Sequence, residues 1–174
     1  MPIRHATPDD APAIARIHVT SWQAAYRGQL PDELLDGLTT ERREAHWREA
    51  ASWPSHTLLV ADDDAGVVGF VSCAATQDLD GDPAATGEVR AIYVDPAAYG
   101  RGYGRSLMDR AVEELERRGF RNATLWVLAS NDRARRFYER EGWEADGATK
   151  VDEFGTVEMR EVRYARRLGG RPDS

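Results

Sequence analysis

The sequence predicts an α/β fold in which a mixed, mostly antiparallel sheet is flanked by helices. Three observations carry this. Strand-like apolar runs alternate with amphipathic helical runs over nearly the whole chain. Glu88–Val94, a helical run from about Gly102, and Asn122–Leu128 form a strand–helix–strand unit, whose strands should lie parallel with a right-handed crossover. Thr57–Ala61 with Val67–Ala74, and Trp143 to about Val151 with Thr156 to about Leu168, read as antiparallel pairs.

From the N-terminus, residues 2–6 read as a short strand. Thr7-Pro8-Asp9-Asp10 then offers an N-cap, a first-turn proline and acidic groups for the positive end of a helix dipole, so a helix starts there. Ala11, Ala15, His18, Trp22 and Ala25 recur at helical spacing, Ile14 and Ile17 widen the stripe, and Arg27-Gly28 ends the helix after about Tyr26. Pro31-Asp32 restarts a short helix to about Gly37, and Thr40 caps another that carries Ala45, His46 and Trp47. Asp62-Asp63-Asp64-Ala65-Gly66 has the composition of a hairpin turn, and Gln77 to Thr86 is the most loop-like stretch. The helix from about Gly102 gathers Leu107, Met108, Ala111, Val112 and Leu115 on one face, turns Glu113, Glu114, Glu116 and Arg117 away, and stops at Gly119. Asn131-Asp132 caps a further helix with Ala134, Phe137 and Tyr138 on one face, ended by Gly142. Trp53, Trp126 and Trp143 read as packing residues. Residues 1–168 are expected to form a single domain and 169–174 a disordered tail.

With 174 residues and a formal net charge of −7, the chain has the length for one sizeable core and lacks the basic balance of a nucleic-acid-binding surface. No apolar run approaches the roughly 20 residues that span a bilayer, the N-terminus carries no signal-peptide core, and Cys73 is alone. The expectation is a cytoplasmic protein with neither a nucleic-acid nor a membrane partner. His5, His18, His46 and His56 lack metal-ligand spacing, and no metal site is expected.

Tyr99-Gly100-Arg101-Gly102-Tyr103-Gly104-Arg105-Ser106 follows the apolar strand end Ile92-Tyr93-Val94 and opens into a helix. Three alternate glycines let the backbone turn tightly and approach a ligand, and the first helical N–H groups add the positive end of the helix dipole, an arrangement suited to a phosphate. A Walker loop fails on spacing, because Gly100 is followed five residues later by Arg105 and the stretch holds no lysine. The dinucleotide fingerprint fails too, since Arg105 and Leu107 stand where its third glycine would fall.

Together with Val94-Asp95-Pro96 before it and Leu107-Met108 after it, this stretch resembles the coenzyme A loop of the GCN5-related N-acetyltransferase (GNAT) family, whose usual form is Arg/Gln-x-x-Gly-x-Gly/Ala. Tyr99 stands where Arg or Gln is usual, which removes one side-chain contact and leaves the backbone amides in place. Asn131-x-x-Ala134-x-x-Phe137-Tyr138-Glu139-x-x-Gly142-Trp143 resembles the family's second signature at the right distance, so the two motifs cover roughly residues 57–143. Ser21-Trp22-x-x-Ala25-Tyr26-Arg27-Gly28-x-x-Pro31 is similar to a first-helix pattern of bacterial members. The resemblance implies a GNAT fold whose sheet splays open between the 88–94 and 122–128 strands, with the pantetheine arm of acetyl-CoA in the gap. It implies an acetyl-CoA-dependent N-acetyltransferase that moves an acetyl group directly to a primary amine in a ternary complex. A non-catalytic acyl-CoA-binding regulatory module of the same fold is the alternative.

The same resemblance assigns coenzyme contacts to Ile92, Tyr93 and Val94, to Tyr99, Gly100, Arg101, Gly102, Tyr103, Gly104, Arg105 and Ser106, and to Asn131, Arg135 and Tyr138. Tyr138 stands at the position of the hydroxyl that protonates the departing thiolate. Its plain reading is a core aromatic beside Phe137, and that of Asn131 a helix cap. An ammonium must lose a proton before it attacks, and Glu88 is the candidate base. By strand alternation it shares a face with Arg90, Ile92 and Val94, and a Glu88–Arg90 pair at a solvated strand end is the competing reading. A backbone N–H near Ile92 to Val94 would stabilise the oxyanion. Trp22 and Tyr26, with Glu88 and Arg90, are candidates for the acceptor wall, since aromatic faces attract cations, while an aromatic stripe on a helix also fits a core. Small amine, aminoglycoside, amino acid and protein N-terminus all remain open as acceptors, and a homodimer through exposed strands or the first helices is compatible with the sequence.

Overall fold

The computed structural model describes residues 2–169. Its strands join one seven-stranded sheet in the order β1-β2-β3-β4-β5-β7-β6. By packing, the chain divides into two units that interrupt each other in sequence: residues up to Ser72 with Ala91–Ala111, and Cys73–Arg90 with residues from Val112 on.

In the first unit, β1 (Ile3–His5) pairs antiparallel with β2 (Thr57–Asp63). Asp10 closes the entry to the first helix, its Oδ2 accepting the Thr7 N–H at 2.8 Å while Arg4 donates to both of its oxygens. A 3-10 turn, Pro8–Asp10, thus leads into α1 (Ala11–Tyr26). Its buried face holds Ala11, Ile14, Ala15 and Ile17 and continues through Ser21 and Tyr26. Ala25, expected on that stripe, is exposed, because a 3.6-residue repeat carries the stripe past it over 16 residues. α2 (Asp32–Asp36) and α3 (Thr40–Ala50) follow, and the residue preceding α3 is Thr39, one before the expected cap. The core of this unit joins Ile14, Ile17 and Trp47 from α1 and α3 with Val60 of β2 and Phe70 of β3 (Gly66–Ala75). The β2–β3 turn is shorter than expected, because strand pairing absorbs Asp62 and Asp63.

β4 (Thr86–Val94) and α4 (Tyr103–Arg117) run through both units. In the second unit, β4 pairs in parallel with β5 (Asn122–Leu128) over the register Thr86↔Asn122 to Val89↔Leu125. Then come α5 (Asp132–Arg140), β6 (Glu144–Phe154) and β7 (Val157–Arg167). β7 is antiparallel to β5 along the whole of β5, and antiparallel to β6 with a register shift between Ala145 and Thr149. β6 is the exposed edge strand and extends past the expected Val151 to Phe154. Glu114 corrects a second expectation. It is buried at 6% exposure and ion-pairs with Arg117 one turn on, and that partner makes its burial tolerable on the otherwise apolar face of α4. Gly169 still donates to Glu116, and the rest of the expected tail, 170–174, lies outside the described residues.

A Cβ on Gly87 would meet Leu115 of α4 at 2.6 Å, and a Cβ on Gly69 would meet Leu107 of α4 at 3.0 Å and Val94 Cγ2 at 3.3 Å. In the second unit Gly87 therefore faces α4, and Glu88, next to it, faces away. In the first unit Gly69 and Val94 face α4.

Candidate functional site

In the first unit the glycine loop has the geometry that its sequence asks for. Asp95 Oδ1 accepts the Ala97 N–H at 3.0 Å and caps a 3-10 turn, Pro96–Ala98. Gly100 (φ 77°) and Gly102 (φ 85°) then adopt left-handed backbone that an L side chain resists. Among the described residues a Cβ on Gly100 would meet nothing within 4 Å, so glycine is there for its dihedral and not for space. The first intrahelical bond of α4 runs from Ser106 N to Gly102 O at 3.1 Å. The backbone N–H groups ahead of it, those of Tyr103 and Gly104 included, therefore belong to the turn at the positive end of the α4 dipole. Tyr103 is buried, Gly104 and Ser106 are half-buried, and Tyr99, Arg101 and Arg105 are exposed, with Arg105 Nε 4.0 Å from Asp109.

The strand end before the loop is held by α1. Ser21 Oγ donates to Val94 O at 3.2 Å, and Trp22 Nε1 donates to the Tyr93 hydroxyl at 2.9 Å. Ile92 is half-buried. Tyr93 stacks on His18 with centroids 5.1 Å apart, and Trp22 meets Tyr26 edge to face at 5.0 Å. The Arg43 guanidinium lies 5.9 Å from the Trp22 ring and 3.1 Å from His18 Nε2. Trp22 is half-buried in this group, and Tyr26 is buried at its edge. His18, which sequence reasoning gave only a packing position, is the centre of the group: burial first, then the charge of Arg43, pushes it down to about 3.

In the second unit Glu88 is half-buried and accepts the Gln77 N–H at 3.3 Å. Burial, with the charge of Asp78 adding to it, raises its pKa, against the Gln77 N–H, Arg90 and Lys150. Arg90 spends a guanidinium hydrogen on Ala75 O at 2.7 Å. The register aligns Glu88 with Thr124, Trp126 with Arg163, and both Leu128 and Lys150 with Glu161, so Glu88, Thr124, Trp126, Lys150, Glu161 and Arg163 share one face. Sequence reasoning missed all of these but Glu88. Trp126, expected to pack, instead donates through Nε1 to Asp78 at 3.0 Å. Arg163 ties the face to the 77–86 loop by donating to Asp78 and Asp80, and to β6 by donating to Asp146. Burial first, then Asp152, pushes Glu161 up to about 7.

Asn131 Oδ1 accepts the Ala134 N–H at 3.2 Å, the capping role that its sequence position offered. Arg135 donates to the Tyr164 hydroxyl at 3.1 Å and to Ala129 O at 2.9 Å, and that hydroxyl donates to Glu139 at 2.8 Å. α5 is locked to β7 in this way. Tyr138, on the same helix, is buried at 8% exposure between Phe137 and Tyr164, with ring centroids 5.5 and 6.1 Å away. Among the described residues no group of three or more His, Cys, Asp or Glu is placed to hold a metal ion, and no helix is long and apolar enough to cross a membrane.

Comparison with known proteins adds lineage to this geometry. Over 140 residues the chain is 34% identical to an uncharacterised N-acetyltransferase of Archaeoglobus fulgidus, a match covering 79% of this chain and 89% of that one. Over 98 residues it is 43% identical to a mycothiol acetyltransferase of Beutenbergia cavernae, covering 55% of this chain but only 31% of that longer protein. Among solved structures, the PaiA N-acetyltransferase of Thermoplasma acidophilum in complex with coenzyme A superposes with a TM-score of 0.78 at 17% identity, covering 96% of this chain and 98% of that one. That is a likeness of fold. YncA of Salmonella typhimurium, solved with its cofactor acetyl-CoA, superposes at 0.74 with 25% identity, covering 100% of this chain and 97% of that one. Residues 13–143, which contain both the glycine loop and the Asn131-to-Trp143 signature, match the profile of the acetyltransferase (GNAT) family, and the chain belongs to that family.

Proposed function

We propose that the protein transfers an acetyl group from acetyl-CoA to a primary amine, directly and in a ternary complex, and that residues 1–168 act as one catalytic domain. The observation that carries this reading is the loop in which Gly100 and Gly102 hold left-handed backbone immediately before the N-terminus of α4. That cradle is made of backbone N–H groups and fits a pyrophosphate without requiring a side chain. Arg101 and Arg105, exposed at its rim, add positive charge. The residues proposed to contact the coenzyme are Ile92 to Val94, Tyr99 to Ser106, Asn131, Arg135 and Tyr138.

The coenzyme supplies an activated thioester carbonyl. Glu88 takes the proton that an acceptor ammonium must lose, and its burial suits that task by raising its proton affinity toward neutrality. The Tyr138 hydroxyl donates to the departing sulfur, and a backbone N–H of the Ile92–Val94 stretch donates to the carbonyl oxygen. Trp22, Tyr26 and Arg90 are proposed for the acceptor wall.

The test is coenzyme A release from acetyl-CoA across polyamines, amino acids, aminoglycosides and N-terminal peptides, with Tyr138→Phe alongside. Acceptor-dependent release that the variant loses supports the enzyme and names its acceptor class. Acetyl-CoA binding with no release for any acceptor would move the reading to a non-catalytic acyl-CoA-binding module.

A further inference from the structure

Lys150 is the chain's one lysine, among 23 lysine and arginine residues. Its ammonium is seated on the Glu88 face of the second unit. Nζ stands 4.6 Å from the centroid of the Trp126 ring, 3.5 Å from Glu161 Oε2 and 3.6 Å from Asp152 Oδ2. The indole beneath it is fixed, because Nε1 donates to both oxygens of Asp78 and Asp78 accepts from Arg163. A rigid aromatic face with carboxylates beside it is an arrangement that selects an ammonium ion. The fold does not demand a cation there, since Lys150 lies on the exposed edge strand β6, just past its register shift, with 40% of its side chain exposed.

Two further groups turn toward the same face. Glu88 is close enough for the Lys150 charge to act on it. Thr124, registered with Glu88 and two residues before Trp126, is only 8% exposed, and its hydroxyl oxygen finds no hydrogen-bond partner among the described residues. A buried polar atom of that kind marks a place where a partner is missing.

We propose that Trp126, Glu161 and Asp152 form a seat for the ammonium group of a primary alkylamine, and that Lys150 fills it in the unliganded protein as a tethered stand-in. The proposal rests on the acetyltransferase reading and narrows its acceptor to a primary alkylammonium, carried by a free small amine or by a peptide lysine. Two ion pairs, of 3.5 and 3.6 Å, on a side chain 40% exposed and a cation–π contact hold Lys150 weakly, so an incoming ammonium replaces its contacts like for like. The tethered competitor lowers the apparent affinity by the fraction of time that it stays seated.

Calorimetric titration of the full-length protein near neutral pH tests this, with butylamine in one arm, a capped Gly-Lys-Gly peptide in another and butanol as the neutral control. Lys150→Met should bind butylamine roughly five- to tenfold more tightly than the wild type. Lys150→Arg, which keeps a cation on the strand, should stay near the wild type, and Trp126→Leu added to Lys150→Met should cancel the gain. A gain with the peptide alone would assign the seat to a peptide lysine. Equal affinities of wild type and Lys150→Met in both amine arms, a gain that survives loss of Trp126, or an equal gain with butanol would each overturn the proposal. Binding needs no turnover, so the two readings fail separately: tighter binding without coenzyme A release sinks the transferase, and release with unchanged affinities sinks the seat.

Discussion

Mild acid should loosen the first unit through His18. The ring is held as a neutral acceptor, since Trp47 Nε1 donates to its Nδ1 at 3.2 Å while Tyr93 stacks on its face. Burial, the Arg43 guanidinium and His46 together push it from 6.5 down to about 3. A depressed histidine binds fewer protons folded than unfolded between those values, so its contribution is complete above 6.5 and is lost as the pH falls toward 3. Each unit in that window is worth ~1.4 kcal/mol, which places the loss from this one ring at about 2 kcal/mol by pH 5 and roughly 4–5 kcal/mol by pH 3. Urea unfolding of wild type and His18→Gln at neutral pH and near pH 5 isolates the ring, because titrating carboxylates are common to both proteins. The wild type should lose about 2 kcal/mol more than the variant over that interval. The same pH slope in both proteins would refute the reasoning and show that His18 charges freely in the folded state.

Tyr138→Phe should lower turnover by about a hundredfold, the scale of a general acid, and leave the Kd for acetyl-CoA nearly unchanged; a parallel loss of coenzyme affinity would reassign the hydroxyl to binding. Burial raises the Glu88 pKa, so the acidic limb of the kcat/KM profile should lie above the ordinary carboxylate range, and Glu88→Gln should remove that limb along with most of the rate. An unaltered profile in the variant excludes Glu88 as the base. Gly87→Ala should destabilise the protein by about 1–3 kcal/mol, read as a Tm lowered by several degrees, because the new methyl falls 2.6 Å from Cδ2 of a fully buried Leu115. A Tm within a degree of the wild type would mean that Leu115 repacks freely.

The helices and the loop were legible because their signals are local. The acidic residues at Asp9-Asp10, the stop at Gly28 and the Asn131 cap each lie within a few residues of what they organise. Glu114 was misread because a helical wheel sees a charge and not the Arg117 pair that lets it be buried. The Trp126 face was illegible for another reason. Glu88, Trp126, Lys150 and Glu161 come from four separate strands, and only strand register brings them together. An alternating pattern says which residues of one strand share a face. It does not say what the neighbouring strand presents there.

The departure at Tyr99 is the clearest case of sequence and geometry carrying different weights. Tyr99 closes the Pro96–Ala98 turn in extended backbone (φ −58°, ψ 149°) with its side chain 36% exposed, and the reversal that aims the loop begins at Gly100. What the turn presents at the start of α4 is therefore set by the two left-handed glycines and by the Asp95 cap before them. An Arg or Gln side chain at Tyr99 would add a contact to an anion, worth about 1–3 kcal/mol where a charged hydrogen bond forms, without altering the direction of any backbone N–H. Replacing it weakens a cradle and does not dismantle one, whereas a side chain at Gly100 would have to bring φ back from 77° and turn the amides that follow.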